Sequence, residues 1–510
     1  MASAYLVLDV VAVLLALWAI RRVLVNRSTL RHFPPGPRGL PIIGNLFDVP
    51  TSQEWQTYST WADRWGDLLS MNVLGQRIVI ISSVKVAFDL FEKRSLIYSD
   101  RPHLVVAGET LGHMNTIPMA PYGERMRKIR RMFTKAVGTK ALLEDFMPLM
   151  SETIHDYLMN LIQKPQDFKD HIRLMTSTNI LLISHGHRVK DSNDRFLQLS
   201  DTVTDEFSEA VTPGAFLVDQ FPLLRHIPSW VPGAGWQKTA EKYRQHVADA
   251  VAEPFAFVKA QMATGAAVPS FVSRNLDPAA AAAPDAAHEH DVKYAAMALY
   301  TAGSDTTASA LTSFFLAMTL FPEAQRAAQA ELDAVVGPDR LPTFADRERL
   351  PYINALCAEV LRWMPVGPLG LPHRLTEDDT YEGYVLPKGT VFFVNNWKLL
   401  HDPATYRAPM AFRPERFLGA APELDPSRIA FGYGRRICPG ILVAEATIFI
   451  TVAATLAAFT IAPVVEHGKP VLPPVQQTSG IISHPAPFRC DVKPRSAKAE
   501  ALVLAAVENR

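Results

Sequence analysis

The residues best able to do chemistry in this 510-residue chain cluster in Phe431-Gly-Tyr-Gly-Arg-Arg-Ile-Cys-Pro-Gly440. Cys438 stands between Gly434 and Gly440, with Arg436 two positions ahead of it and Phe431 seven ahead. Glycine has no Cβ, so the main chain can come close to the sulfur. Backbone N–H groups aimed at a sulfur stabilise the thiolate, which is the form that binds a metal. Arg436 offers a cation to a carboxylate of the same bound group. A haem with its iron held by Cys438 uses all of these parts. The plain alternative is a buried structural cysteine in a glycine-rich turn.

A second set lies upstream, in Ala302-Gly-Ser-Asp-Thr-Thr307. It sits in the middle of residues 291–320, a proline-free stretch that is mostly apolar on every face after Lys293. That is the pattern of a buried helix, and at ~1.5 Å per residue it spans a domain. An acid and two threonines in such a helix are costly unless they are paired or used. Gly303 removes bulk, so a ligand can approach the backbone. Thr306 can bond a displaced carbonyl and open the helix locally. The alternative is that Asp305 and its threonine neighbour satisfy each other and the backbone.

Both sets match one family. The pattern Phe-x-x-Gly-x-Arg-x-Cys-x-Gly, followed by an apolar helical run at 443–456, resembles the haem-binding loop of the cytochrome P450 family. Ala302 to Thr307 resembles that family's oxygen-binding groove. The resemblance implies a mainly α fold with a small β region, and haem b (iron protoporphyrin IX) between the central helix and the cysteine loop. Cys438 is then the iron ligand, with Phe431, Gly434, Arg436 and Gly440 binding the cofactor. Thr306 would hydrogen-bond dioxygen and Asp305 relay protons to it. Arg130, in the basic helix that opens at Tyr122, matches an Arg that binds a haem propionate. Met126 stands where the family has a Trp, which removes one N–H donor. His373 and Arg101 match two further propionate partners, and Ile441 replaces an Arg that often follows the second glycine. A basic run without such a match is ordinarily a solvated face, and here its remaining cations would dock an acidic electron donor.

Glu359 and Arg362 share one helical face. With Arg416 they match a buried charge cluster whose implied role is structural. Residues 366–371, apolar and glycine-bearing, are expected to form a wall against the substrate, while Cys357 and Cys490 read as ordinary buried thiols. The activity implied is monooxygenation: a thiolate ligand pushes electron density onto iron and favours O–O cleavage. O2 is the co-substrate, NADPH-cytochrome P450 reductase the electron donor and cytochrome b5 a second donor. A lipophilic substrate follows from the apolar walls. Residues 213–235 resemble the matching connector of fungal members, including those similar to O-methylsterigmatocystin oxidoreductase, which points to secondary metabolism or xenobiotic oxidation. Two other classes remain. A haem-thiolate isomerase or peroxide-driven enzyme can dispense with the Asp–Thr pair, and a non-catalytic haem sensor needs neither Thr306 nor a reductase face.

The rest of the chain must hold these groups. With 48% hydrophobic and 20% charged residues it can build a sizeable core. No break in composition divides it, so we expect one large domain over 41–496, behind an anchor at 1–22 and a basic, proline-rich connector at 23–40, with a tail at 497–510. A formal net charge of zero gives no case for nucleic acid. Three cysteines make no disulfide framework and suit a reducing compartment. Residues 2–20 are apolar except for Ser3 and Asp9, close to the ~20 residues of a transmembrane helix. Arg21, Arg22, Arg27 and Arg31 follow, which predicts a single span in membrane lipid of the endoplasmic reticulum with the body in the cytosol. The rival is a cleaved signal peptide, but no basic residue precedes the apolar run. In the cytosol the acceptor pattern Asn26-Arg27-Ser28 would stay unmodified. Pro34-Pro35-Gly36-Pro37 reads as a stiff connector, residues 78–82 as a strand, and residues 278–287, rich in alanine, as an exposed loop.

Overall fold

The computed structural model describes residues 32–212, 214–277 and 285–508, and helix dominates it. The anchor expected at 1–22 therefore lies outside the described residues. A small β region comes first. Strands β1 (Leu68–Val73) and β2 (Gln76–Ile81) pair antiparallel, Val73 opposite Gln76. The two residues between them, Leu74 and Gly75, both have positive φ, which matches the twist of a tight hairpin. The strand expected at 78–82 thus ends at Ile81. Pro34 and Pro35 lie along β1: their carbonyls accept from the Ser70 hydroxyl (2.5 Å) and the Ser70 amide (2.8 Å). A Cβ on Gly36 would stand 1.8 Å from the Ser70 carbonyl oxygen, so the proline segment is packed against the sheet.

The helices that frame the site are α1 (Glu124–Val137), α2 (Phe168–His185), α3 (Arg195–Ala210), α4 (Ala286–Leu320) and α5 (Pro351–Trp363). Strands β3 (His373–Arg374) and β4 (Val391–Val394) complete the first sheet in the order β1-β2-β4-β3, with β4 parallel to β2. Helix α6 (Ile441–Ala458) follows the cysteine loop directly. Among the described residues it is the one helix long and apolar enough to cross a membrane, yet most of it is buried inside the domain.

Helix α4 is the axis of the molecule. It starts at Ala286, where the Asp285 carboxylate accepts from the His288 amide at 2.7 Å and caps the first turn. The loop expected over 278–287 is corrected at its end: Ala286 and Ala287 are helical, as alanine beside a good cap should be. Its remaining residues, 278–284, lie outside the described residues. Residues 292–300 of α4 belong to one apolar core, with Phe133 of α1 and Val203 of α3. Residues 308–318 belong to a second core, with Ile448 to Leu456 of α6. The stretch between the two cores carries the polar groups.

Behind the cysteine loop, Glu359 of α5 receives two N–H bonds from Arg362 (2.7 and 2.8 Å) and lies 3.1 Å from Arg416. Glu359 and Arg362 are 0% exposed and Arg416 is 1% exposed at the side chain. Arg362 also donates to the carbonyls of Leu400, Pro409 and Ala411, tying α5 to two segments of the following chain. Glu359→Ala strands two buried guanidinium groups, a loss of about 3–5 kcal/mol. The expected result is a lower urea midpoint and little folded protein, read by circular dichroism. An unchanged midpoint would refute the structural role.

Candidate active site

The cysteine loop is held by its own main chain. A short turn at Gly434–Arg436 reverses the chain, and the Cys438 amide donates to the Phe431 carbonyl at 2.8 Å. Gly434 has φ +50°, and a Cβ there would stand 2.0 Å from the Phe91 carbonyl oxygen. The close approach that demands glycine is therefore to a neighbouring turn and not to the sulfur. A Cβ on Gly440 would make ordinary contact with the sulfur, at 3.8 Å. Burial pushes the Cys438 thiol above its usual pKa, while an amide hydrogen bond from Gly440 and the nearby Arg130 charge oppose the shift. A bound cation at the sulfur would tip that balance to the thiolate.

Four cationic or imidazole groups surround the loop. Arg436 donates to the carbonyls of Ser99 (2.7 Å), Ile117 (3.0 Å) and Ala120 (2.6 Å). Arg101 donates to those of Pro118 (2.7 Å), Leu371 (2.9 Å) and Pro372 (2.7 Å). Arg130 donates to the Ile437 carbonyl at 2.8 Å, one residue from Cys438. None of these bonds reaches a carboxylate. Burial, with Arg436 next in size, drives the Arg101 pKa well below its usual value, and burial lowers Arg436 to about 10. His373 Nδ1 lies 2.7 Å from the Tyr98 carbonyl and must donate to it. Burial and the charge of Arg101 hold that ring neutral, with Nε2 as a bare acceptor.

The facing wall is α4. Thr306 Oγ1 donates to the Ala302 carbonyl at 2.6 Å, and the helix runs on without a break. Asp305 does not pair with Thr306; its carboxylate lies 3.1 Å from His484 Nε2, and both side chains are about one-third exposed. Gly303 has a different role from the one its sequence suggests. A Cβ there would come within 2.7 Å of Ile180, so the glycine lets α2 pack closely on α4. Thr306, Ala302, Cys438, Arg101, Arg436 and His373 all line one cavity of about 380 Å³. Val366, Gly367, Leu369, Gly370 and Leu371 supply the wall expected from residues 366–371.

The Cytochrome P450 family pattern matches residues 34–492, most of the chain. The chain belongs to the cytochrome P450 family. It is 48% identical over 514 residues to cytochrome P450 monooxygenase 208 of Postia placenta, covering 100% of both chains. It is 43% identical over 495 residues to cytochrome P450 monooxygenase claR of Ampulloclitocybe clavipes, covering 96% of this chain and 91% of that one. Against cytochrome P450 monooxygenase ple1 of Rhodocybe pseudopiperita the identity is 40% over 490 residues, with 94% and 93% covered. The protein is thus a cytochrome P450 monooxygenase, and the family implies a haem-thiolate cofactor. The residues present fit that group. One half-buried thiol faces a cavity, and beside it lie guanidinium groups whose hydrogen bonds go to carbonyls and not to a carboxylate. A dianionic porphyrin carrying a metal supplies both of the missing charges.

Several residues of this P450 site escape sequence reasoning. His484 lies 179 positions from Asp305, in a segment with no motif. Asp291, on the first turns of α4, binds Arg125 (2.8 Å) and Lys128 (2.8 Å) of α1, so part of the basic run is internally paired. His113 and Phe207, which also line the cavity, carry no pattern that could have singled them out.

Proposed function

We propose that this P450 inserts one atom of O2 into a lipophilic organic substrate and releases the other as water, with electrons from NADPH-cytochrome P450 reductase and cytochrome b5 as a second donor. One observation carries the reading: Cys438 and Thr306 line the same largely apolar cavity. Bound haem b supplies an iron that can take up electrons and activate O2. Cys438 holds that iron as thiolate. Arg101, Arg130 and Arg436 would hold the propionates, and Phe431, Gly434 and Gly440 shape the loop; His373 would join them only with a proton on Nε2, because its Nδ1–H is already given to the Tyr98 carbonyl. Thr306 Oγ1 gives its own proton to the Ala302 carbonyl and presents its lone pairs at the cavity face of α4, where it accepts from a proton donor. Asp305, with a carboxylate partly open to water and partnered by His484, exchanges protons with solvent.

Arg127, Arg131 and Lys135 are the exposed cations of α1, since Arg125 and Lys128 are committed to Asp291. They form the face for an acidic reductase domain. Reversing all three to Glu should slow electron transfer severalfold at low salt and flatten its dependence on ionic strength, with the haem spectrum unchanged. An unaltered rate in stopped-flow reduction would move docking elsewhere.

Residues 1–22 anchor the protein in the endoplasmic reticulum membrane, residues 23–40 connect, 41–496 form the catalytic domain on the cytosolic side, and 497–510 are a tail. Exposed Leu217, Phe221, Leu223 and Trp230 support contact with membrane lipid. The protein's use is in secondary metabolism or xenobiotic oxidation, a reading that rests on the likeness of residues 213–235 to fungal members similar to O-methylsterigmatocystin oxidoreductase. The test is turnover with a fungal reductase and NADPH on terpenoid, steroid, fatty-acid and polycyclic aromatic scaffolds. Products one oxygen heavier by mass spectrometry support the reading. NADPH use with no oxygenated product from any scaffold would refute the substrate class.

A further inference from the structure

Five buried side-chain atoms among the described residues lack any hydrogen-bond partner, on Trp55, Ser82, His113, Glu206 and Tyr406. Only His113 among these residues lines the cavity that holds Cys438 and Thr306. Its side chain belongs to a residue 4% exposed, and the orphaned atom is Nε2. The carbonyl of this residue is already used: it accepts from the Thr116 amide (2.9 Å) and the Thr116 hydroxyl (2.6 Å). The ring packs edge-on to Phe207 of α3, centroids 4.7 Å apart at 61°. Thr204, three residues before Phe207 and so on the same face of α3, adds a hydroxyl to the same wall.

A buried imidazole without a partner is costly to keep. Its neighbours in the protein offer it nothing, so the group that satisfies it enters through the cavity. Resting on the monooxygenase reading above, we propose that His113 is the polar anchor of the substrate: it binds an uncharged oxygen, a hydroxyl or carbonyl, carried by an otherwise apolar skeleton. The class of the anchored group follows from the ring's state. Burial holds its pKa near 4, so at neutral pH it offers one N–H and one lone pair but no charge. At Nε2, the unpartnered atom, a hydroxyl can bond in either tautomer, a carbonyl can take the N–H when that nitrogen carries it, and a carboxylate or ammonium gains no counter-ion there. The substrate is therefore one that already carries oxygen when it arrives. An earlier cyclase that captures water, a hydrolase or another oxygenase is the class of reaction that supplies it.

The test uses the full-length holoprotein and matched probes: cedrol against cedrane, and androstan-17-ol against androstane. Binding is read as the spin-state change in haem absorbance, corrected for each probe's partition into detergent. Wild type should favour at least one alcohol over its hydrocarbon by about tenfold. His113→Phe keeps the ring against Phe207 but removes both nitrogens, and it should bring that preference to within about twofold while hydrocarbon binding stays. His113→Leu, measured in parallel, should give the same loss without relying on ring packing. An alcohol preference that survives in either variant overturns the assignment, as does a wild type with no preference in either pair. A wild type that lacks the thiolate-type carbon monoxide spectrum would instead sink the cofactor reading, and the two failures are distinguishable on one sample.

Discussion

Cys438→Ala is expected to abolish NADPH-driven oxygen insertion completely and to remove the thiolate-type carbon monoxide spectrum. The argument is one of supply. Cys438 is the sole cysteine lining the cavity, and Cys357 and Cys490 pack in the second apolar core without lining it. Burial pushes the thiol pKa of each of those two up to about 12, so neither is a ready thiolate. Among the described residues no group of three or more His, Cys, Asp or Glu could hold a metal instead. The imidazoles that line the cavity, His113 and His373, can offer iron a nitrogen but not a thiolate, so ligation by either would give a different spectrum. The guanidinium groups of Arg101, Arg130 and Arg436 remain, so the variant should still take up porphyrin weakly through its carboxylates. The measurement is the carbon monoxide difference spectrum alongside pyridine haemochrome content. A surviving thiolate spectrum would mean that another residue ligates iron.

How far the site could be read from the chain alone depended on the range of each interaction. The cysteine loop is contiguous, so its parts are visible in ten residues, and the charges of Glu359 and Arg362 share a face because one helical turn fixes their spacing. Arg416 needed the family likeness, since nothing local ties it to a glutamate 57 positions away. The reasons for the glycines were less legible than the glycines themselves. Gly434 answers to Phe91 and Gly303 to Ile180, partners brought in by tertiary packing that spacing does not encode. The same limit hid His484 behind Asp305 and left His113 unnoticed. An orphaned nitrogen is a property of the folded interior, defined by every neighbour that fails to bond it. The basic helix shows the converse: its cations look alike in sequence, and only the positions of Asp291 and the Ile437 carbonyl separate Arg125, Lys128 and Arg130 from the exposed ones.

Thr306→Ala is expected to keep haem binding, NADPH consumption and the carbon monoxide spectrum, while oxygenated product falls and hydrogen peroxide rises in its place. The hydroxyl is spent on the Ala302 carbonyl as a donor, which leaves its lone pairs toward the cavity. The bond is local, within one turn of α4, and the helix keeps its full backbone ladder without it. Stability should therefore change little. Proton supply should change a great deal. Asp305 faces His484 and the solvent side, so Thr306 is the group of this pair that lines the cavity. General acid–base groups contribute about 10²–10⁴-fold, and a water admitted by the smaller side chain should hold the loss near the lower end. Asp305→Asn should act differently: the cavity wall is intact, so electrons should flow more slowly and the solvent isotope effect on NADPH use should grow. Peroxide per NADPH, measured with a substrate that wild type oxidises, decides the matter. Unchanged coupling in Thr306→Ala would place proton delivery on another wall of the cavity.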